Sequence, residues 1–186
     1  TSQYPVVCRI AAAIKRIDAS CYVVMGGVHA ALNPEMVSRR PYFDAICVGE
    51  GESGIVQLAR QLQAGRIPSR IAGFWLARGG HWEVNPPAPF RQELEKLPWI
   101  DRSLWEAWVK RRSGMHSVLV GRGCPHRCSY CCNHALSELA SGRYVRFRPP
   151  ADVVAEIDRI VAYYPGTRLI HLEAENLGNH PGYLRK

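Results

Sequence analysis

No apolar run in this 186-residue sequence approaches the roughly 18 residues that a membrane-spanning helix needs. The N-terminus lacks the basic, apolar and small-residue succession of a secretory signal. Internal repeats and low-complexity tracts are missing as well, which sets aside repeat architectures. Acidic residues are outnumbered, 16 against 24 Lys and Arg, giving a formal net charge of +8. That balance permits a nucleic-acid partner without indicating one. Trp and Tyr do not interleave with the basic residues as they do in base-stacking platforms. The densest basic groups, residues 110–112 and Arg143, Arg146 and Arg148, read as a solvated face. With 47% hydrophobic and 22% charged residues, the composition is that of an ordinary globular protein.

What the sequence has in excess is cysteine. There are seven, and Cys124, Cys128, Cys131 and Cys132 fall within nine positions. A disulfide framework staples distant segments, and the adjacent Cys131 and Cys132 suit it badly. Metal binding in a reducing, cytoplasmic compartment fits this clustering better. Cys8, Cys21 and Cys47 lie in or beside apolar segments and read as small buried hydrophobes.

Periodicity predicts an alternating α/β order. Residues 6–17 carry apolar positions at helical spacing, and 22–25 form a short β-prone run that ends in Gly26-Gly27. A short helix is expected from Pro34, since proline is tolerated at a helix start. A buried strand at 45–48 ends in Gly49-Glu50-Gly51-Glu52, and 55–62 has amphipathic helical spacing. This order predicts a parallel sheet covered by helices, with ligands beyond the carboxyl ends of its strands, where both glycine loops fall. Residues 73–84 read as a hairpin around Gly79-Gly80, and Pro86, Pro87, Pro89 and Pro98 mark an extended connector. Trp99, Trp105 and Trp108 are expected to dock that connector. A second unit begins with a strand at 117–120 that runs into the cysteine cluster. A helix at 151–164 follows, with Asp152 and Glu156 placed to suit its dipole, then a strand at 168–172. The expected domains are 1–68, a hairpin and Pro-rich connector at 69–113, and 114–186. The start at Thr1 and the end just after a strand are expected to mark a piece of a longer chain.

Cys124-Pro-His-Arg-Cys128-Ser-Tyr-Cys131 is a CxxxCxxC spacing on a loop at the end of a strand. Three thiolates on one loop can hold three irons of a cubane and leave the fourth open to a substrate group. This spacing, with Tyr130 before the last cysteine and Gly121-Arg122-Gly123 ahead of the first, resembles the signature of the radical S-adenosylmethionine superfamily. The resemblance implies a 4Fe–4S cluster on Cys124, Cys128 and Cys131, with Tyr130 packing on adenine. It also implies reductive cleavage of S-adenosylmethionine to a 5′-deoxyadenosyl radical. Glu173 and Glu175, after the 168–172 strand, are expected to contact S-adenosylmethionine. The Glu173-Ala-Glu175-Asn176-Leu177 run departs from the acidic-polar-aromatic run of many relatives. Cys132, His126 and His134 are not expected to be ligands.

The segments VVMGGVHAALNPE and FDAICVGEGE resemble the second half of the cobalamin-binding domain that precedes one radical S-adenosylmethionine subfamily. The resemblance assigns Gly26, Gly27, Gly49, Glu50 and Gly51 to the pocket for the cobalamin tail, with His29 beside it as a structural residue. It implies the C-terminal part of a Rossmann-like cobalamin domain, a Pro-rich connector and the start of a TIM-type radical barrel. The implied enzyme is a cobalamin-dependent methyltransferase acting on an unactivated carbon of a small molecule or peptide, reduced by a flavodoxin or ferredoxin. Its substrate contacts belong to later barrel strands.

Two other readings compete. An RNA methylthiotransferase would carry a second cluster, for which Cys8, Cys21 and Cys47 are the available thiols. A zinc-stabilised nucleic-acid-binding module would use the same cysteine loop with His126 or His134. Iron analysis of the reconstituted full-length protein separates them. One cluster gives about four irons per chain, two give about eight, and the zinc module gives none.

Overall fold

The computed structural model describes residues 2–106, 114–179, 182 and 183. The chain forms two compact units, Thr1–Phe90 with Ala135–Ser141, and Arg91–His134 with Gly142–Lys186. Among the described residues no helix is long and apolar enough to cross a membrane.

The first unit opens with α1 (Tyr4–Ile17), with Pro5 in its first turn and Lys15 and Arg16 in its last, where they complement the helix dipole. β1 (Val24–Met25) follows, then two short helices, α2 (Val28–Leu32) and α3 (Pro34–Ser38). β2 (Ala45–Cys47) and α4 (Glu52–Gln63) complete the alternating part. α2 escapes the periodicity reading because five residues hold little more than one turn.

β1 and β2 are parallel, as expected, but the sheet as a whole is mixed. The hairpin of β3 (Phe74–Arg78) and β4 (His81–Val84) adds to β2 in antiparallel register, giving the order β1-β2-β3-β4. Gly79 and Gly80 both take positive φ, as a two-residue hairpin turn requires. The expected parallel sheet is thus corrected: the hairpin, read as lying outside the first domain, supplies two of its four strands.

Alternation along β2 splits the first unit's core. Ile46 and Val48 pack with Met25, Ala30, Val37 and Phe43 beneath Tyr4 and Ala11 of α1. Ala45 and Cys47 face the other way, toward Leu58 of α4 and Ile71, Phe74 and Leu76. Asp44 locks the entry to β2, accepting from the Val23 amide at 2.7 Å and pairing with Lys15 at 2.7 Å.

In the second unit, β5 (Met115–Leu119) pairs in parallel with β8 (Leu169–Glu173) over five residues. Between them in the chain come β6 (Gly121–Arg122), α5 (Asn133–Ser137, most of whose residues belong to the first unit), β7 (Arg146–Phe147) and α6 (Pro150–Tyr163). β6 and β7 form a two-rung antiparallel ladder. α6 lays Val153 and Ile160 against Val118 and Val120, while Val154 and Val161 remain exposed, so only part of the expected apolar stripe is core.

Two expectations on charge are overturned. Arg146 and Arg148 are 4% and 6% exposed and belong to no solvated face, whereas Arg143 is exposed as expected. Glu156 is 2% exposed and serves as an ion-pair partner rather than a first-turn dipole charge. Among the tryptophans, Trp99 donates to Asp152 at 3.1 Å, Trp105 is exposed rather than docked, and Trp108 lies outside the described residues. Residues 110–112 also lie outside them.

Gly54 on α4 faces the buried ring of Phe74; an added Cβ would stand 2.8 Å from its Cδ2 and 3.3 Å from Ile71 Cγ2. Gly54→Ala is expected to cost about 1–3 kcal/mol by overpacking. Urea unfolding should show this as a lower midpoint with an unchanged slope.

Candidate iron–sulfur and cofactor site

Both glycine loops leave the carboxyl ends of the parallel pair β1 and β2. An added Cβ on Gly26 would sit 3.5 Å from that of Cys47, so the two loops are neighbours. Gly27 has φ +84° and would point a Cβ into open space; its need for glycine is conformational rather than steric. Gly49 has φ +99°, and a Cβ on Gly51 would press on Cys47 Sγ at 2.8 Å. Glu50 lies between them, partly exposed. Backbone therefore lines this edge of the sheet, and open space lies beside Gly27. That cradle is of the kind a nucleotide-like tail needs. His29 stacks on Tyr4 with ring centroids 4.2 Å apart, and burial lowers its pKa.

Cys124, Cys128 and Cys131 lie on the loop joining β6 to α5. All are free thiols, Cys128 exposed and the other two partly so. Two glycines fix where this loop starts. An added Cβ on Gly121 would meet the Arg146 carbonyl and the Phe147 ring at 2.7 Å, and one on Gly123 would fall on the Tyr144 carbonyl. The β6–β7 ladder therefore accepts only glycine at these positions, immediately before Cys124. Within the loop, the Cys131 amide donates to the Cys128 carbonyl at 3.0 Å, which sets the turn between the last two cysteines.

Among the described residues no three His, Cys, Asp or Glu side chains stand close enough to share one ion. A cubane asks something different, because each thiolate binds its own iron. Three free thiols on one accessible loop, with no fourth in the spacing, fit that donor set. Tyr130 is 91% exposed on the same loop, and Cys132 is exposed beside Cys131.

β8 ends at the same edge. The Val120 amide donates to the Glu173 carbonyl at 2.8 Å, so Glu173 stands beside the exit of β5. Its exposed carboxylate lies 3.7 Å from His171 Nδ1. Glu175 follows, exposed, and close enough to Tyr144 to raise its pKa. Asn176 Nδ2 and His126 Nε2 are 3.1 Å apart and link the segment after β8 to the cysteine loop. Both predicted carboxylates are thus on the cysteine side of the parallel pair.

Sequence reasoning missed two sets of supporting residues. The first is a buried ion network. Arg148 donates to Asp152 at 2.7 Å, Glu156 at 2.5 Å and the Leu119 carbonyl at 2.8 Å. Arg102 reaches Glu156 at 2.9 Å and the Ser117 carbonyl at 2.7 Å. Burial opposes the Arg148 charge, but its bonds to Asp152 and Glu156 outweigh that and raise its pKa. Two arginines thereby pin carbonyls along β5, just ahead of the cysteine loop. The second set is Asn133 and Tyr144. The Tyr144 hydroxyl donates to Asn133 Oδ1 at 2.6 Å, and Asn133 Nδ2 donates to Cys131 Sγ at 3.4 Å. Burial, then the charges of Glu175, Cys132 and Cys124, push the Tyr144 phenol up to about 12. The Arg-Pro-Pro-Ala-Asp run that leads into α6 was a legible hint of the first set; nothing in the sequence flagged the second.

The remaining cysteines do not converge. Cys8 packs against the α1 side of the sheet, Cys47 belongs to the α4 side, and Cys21 is exposed. Burial, then Glu52, raises Cys47 to about 11.

No family model matches the chain. An uncharacterised methyltransferase of Pyrococcus horikoshii is 30% identical over 164 residues, covering 87% of this chain and 35% of the relative. The anaerobic magnesium-protoporphyrin IX monomethyl ester cyclase of Synechocystis is 30% identical over 138 residues, 70% of this chain and 27% of its own length. The chain thus spans about a third or less of these relatives. Among solved structures, TsrM of Kitasatospora setae, a radical S-adenosylmethionine methyltransferase, superposes with a TM-score of 0.64 at 22% identity. The match covers 96% of this chain, and 36% of TsrM in its form with cobalamin and a [4Fe-4S] cluster bound. The mixed α/β fold is therefore shared with that part of TsrM. A methyltransferase relative and the fold shared with TsrM agree with the resemblance drawn from the sequence.

Replacing Glu156 alone leaves Arg102 and Arg148 short of a buried partner. Glu156→Leu is expected to cost about 3–5 kcal/mol. Chemical denaturation should show the loss, and Arg148→Met on the same background should recover part of it.

Proposed function

We propose that this chain, a relative of the radical S-adenosylmethionine methyltransferases, belongs to a cobalamin-dependent enzyme that methylates an unactivated carbon. The carrying observation is the cysteine loop: three free thiols at CxxxCxxC spacing, placed at the carboxyl edge of a parallel strand pair. Cys124, Cys128 and Cys131 would hold a 4Fe–4S cluster with one iron left open. When bound, such a cluster supplies the single electron that breaks a carbon–sulfur bond of S-adenosylmethionine.

The chain's own residues would do the binding and orienting. Glu173 and Glu175 offer carboxylates to the methionine amine and the ribose hydroxyls from the end of β8. Tyr130, wholly on the surface of the loop, offers a ring on which adenine can pack. Gly26, Gly27, Gly49, Glu50 and Gly51 would line the cobalamin tail, with backbone where side chains would intrude. The N-terminal unit is then the second half of a Rossmann-like cobalamin domain, and β5 and β8 are the first barrel strands. The substrate is a small molecule or peptide, the electron donor a flavodoxin or ferredoxin, and the setting the cytoplasm.

The test uses the full-length protein, reconstituted anaerobically with iron, sulfide and cobalamin and then reduced in the presence of S-adenosylmethionine. The expected product is 5′-deoxyadenosine, abolished in Cys128→Ala. An iron-loaded protein that yields none would overturn the reading. Gly27→Val should separately weaken cobalamin retention, because φ +84° is strained for a β-branched residue.

A further inference from the structure

We propose that Asn133 is a positioning residue for the iron–sulfur group: its amide donates to the Cys131 ligand sulfur and raises the reduction potential, with Tyr144 holding that amide in orientation. The inference rests on the cluster reading given above and adds to it a residue outside the cysteine spacing.

The geometry is a two-step relay. Tyr144 Oη lies 2.6 Å from Asn133 Oδ1, and Asn133 Nδ2 lies 3.4 Å from Cys131 Sγ. Asn133 is 9% exposed, so its side chain is shielded from water that could compete for the same bonds. A metal-bound thiolate carries no proton and can only accept. Only one of the two amide orientations then works, with Nδ2 toward sulfur. The reverse would set Oδ1 against a negatively charged sulfur and leave the carbonyl without its tyrosine donor.

Tyr144 is itself fixed from two sides. Its backbone carbonyl lies against Gly123, where a Cβ would collide, and the same carbonyl accepts from Arg146 Nε at 3.0 Å. The relay therefore runs from the β6–β7 junction, just ahead of Cys124, round to Cys131 at the loop's far end. It ties both ends of the cysteine loop to one tyrosine.

An N–H···S bond stabilises the sulfur more when the cluster gains an electron, because the reduced form holds more negative charge. Removing the bond must therefore lower the potential. Two reconstituted full-length variants, Asn133→Leu and Tyr144→Phe, are compared with the parent by redox titration followed by EPR, with iron content measured in parallel. Asn133→Leu is expected to lower the equilibrium constant for reduction roughly tenfold, or about 59 mV for one electron. Tyr144→Phe, which frees the amide without deleting it, should move in the same direction by less.

Parent-like iron content with coincident midpoints in both variants would overturn the inference and leave the cluster reading intact. Should the variants fail to hold iron, the parent decides the matter. With heavy-nitrogen-labelled asparagine, pulsed EPR of its reduced cluster should show a nitrogen coupling, and its absence would overturn the proposal. A parent protein that takes up no cluster overturns both readings together.

Discussion

A guanidinium shut away from water holds the cysteine-bearing unit in register. Arg148 is almost wholly buried, and a charge in that position is costly unless every donor is met. Here the donors are met by Asp152, Glu156 and the Leu119 carbonyl, while the Arg148 amide also donates to the Val120 carbonyl. One residue thus fastens the first turns of α6 to the exit of β5. Because Val120 bonds in turn to Glu173, the ends of β5 and β8 and the start of α6 are joined through it. The cysteine loop leaves from this junction. Any displacement there moves the thiols.

The first unit meets a different constraint with different chemistry. Its sheet must present backbone rather than side chains at the carboxyl ends of β1 and β2, and glycine does this in two ways. Gly27 and Gly49 adopt left-handed φ, whereas Gly51 leaves room for the Cys47 sulfur. The hairpin then closes the far side of the sheet, with Ile71, Phe74 and Leu76 completing a core that β2 and α4 could not fill alone.

Much of this could be read from sequence because it is periodic or locally spaced. α1, α4 and α6 announce themselves by 3.6-residue patterns, and the hairpin by Gly79-Gly80. The cysteine loop is legible because metal ligation needs particular atoms at short spacing. What stayed hidden depends on partners far along the chain. β6 and β7 have two residues each, too few for any period, and pair across the cysteine loop and α5. Arg146 and Arg148 look like surface charge until Arg91, Glu156 and Leu119 are brought to them. Asn133 and Tyr144, eleven residues apart, carry no motif at all. The hairpin was visible, but its attachment to β2 was not, because strand pairing in a mixed sheet is a tertiary choice.

The central claim is that one iron of a three-cysteine cluster stands open to S-adenosylmethionine. EPR of the reduced cluster, recorded with and without S-adenosylmethionine, tests it most directly. Direct ligation of the open iron should shift the g-values of the whole signal. A spectrum that S-adenosylmethionine leaves unchanged would mean a closed cluster and would contradict the account.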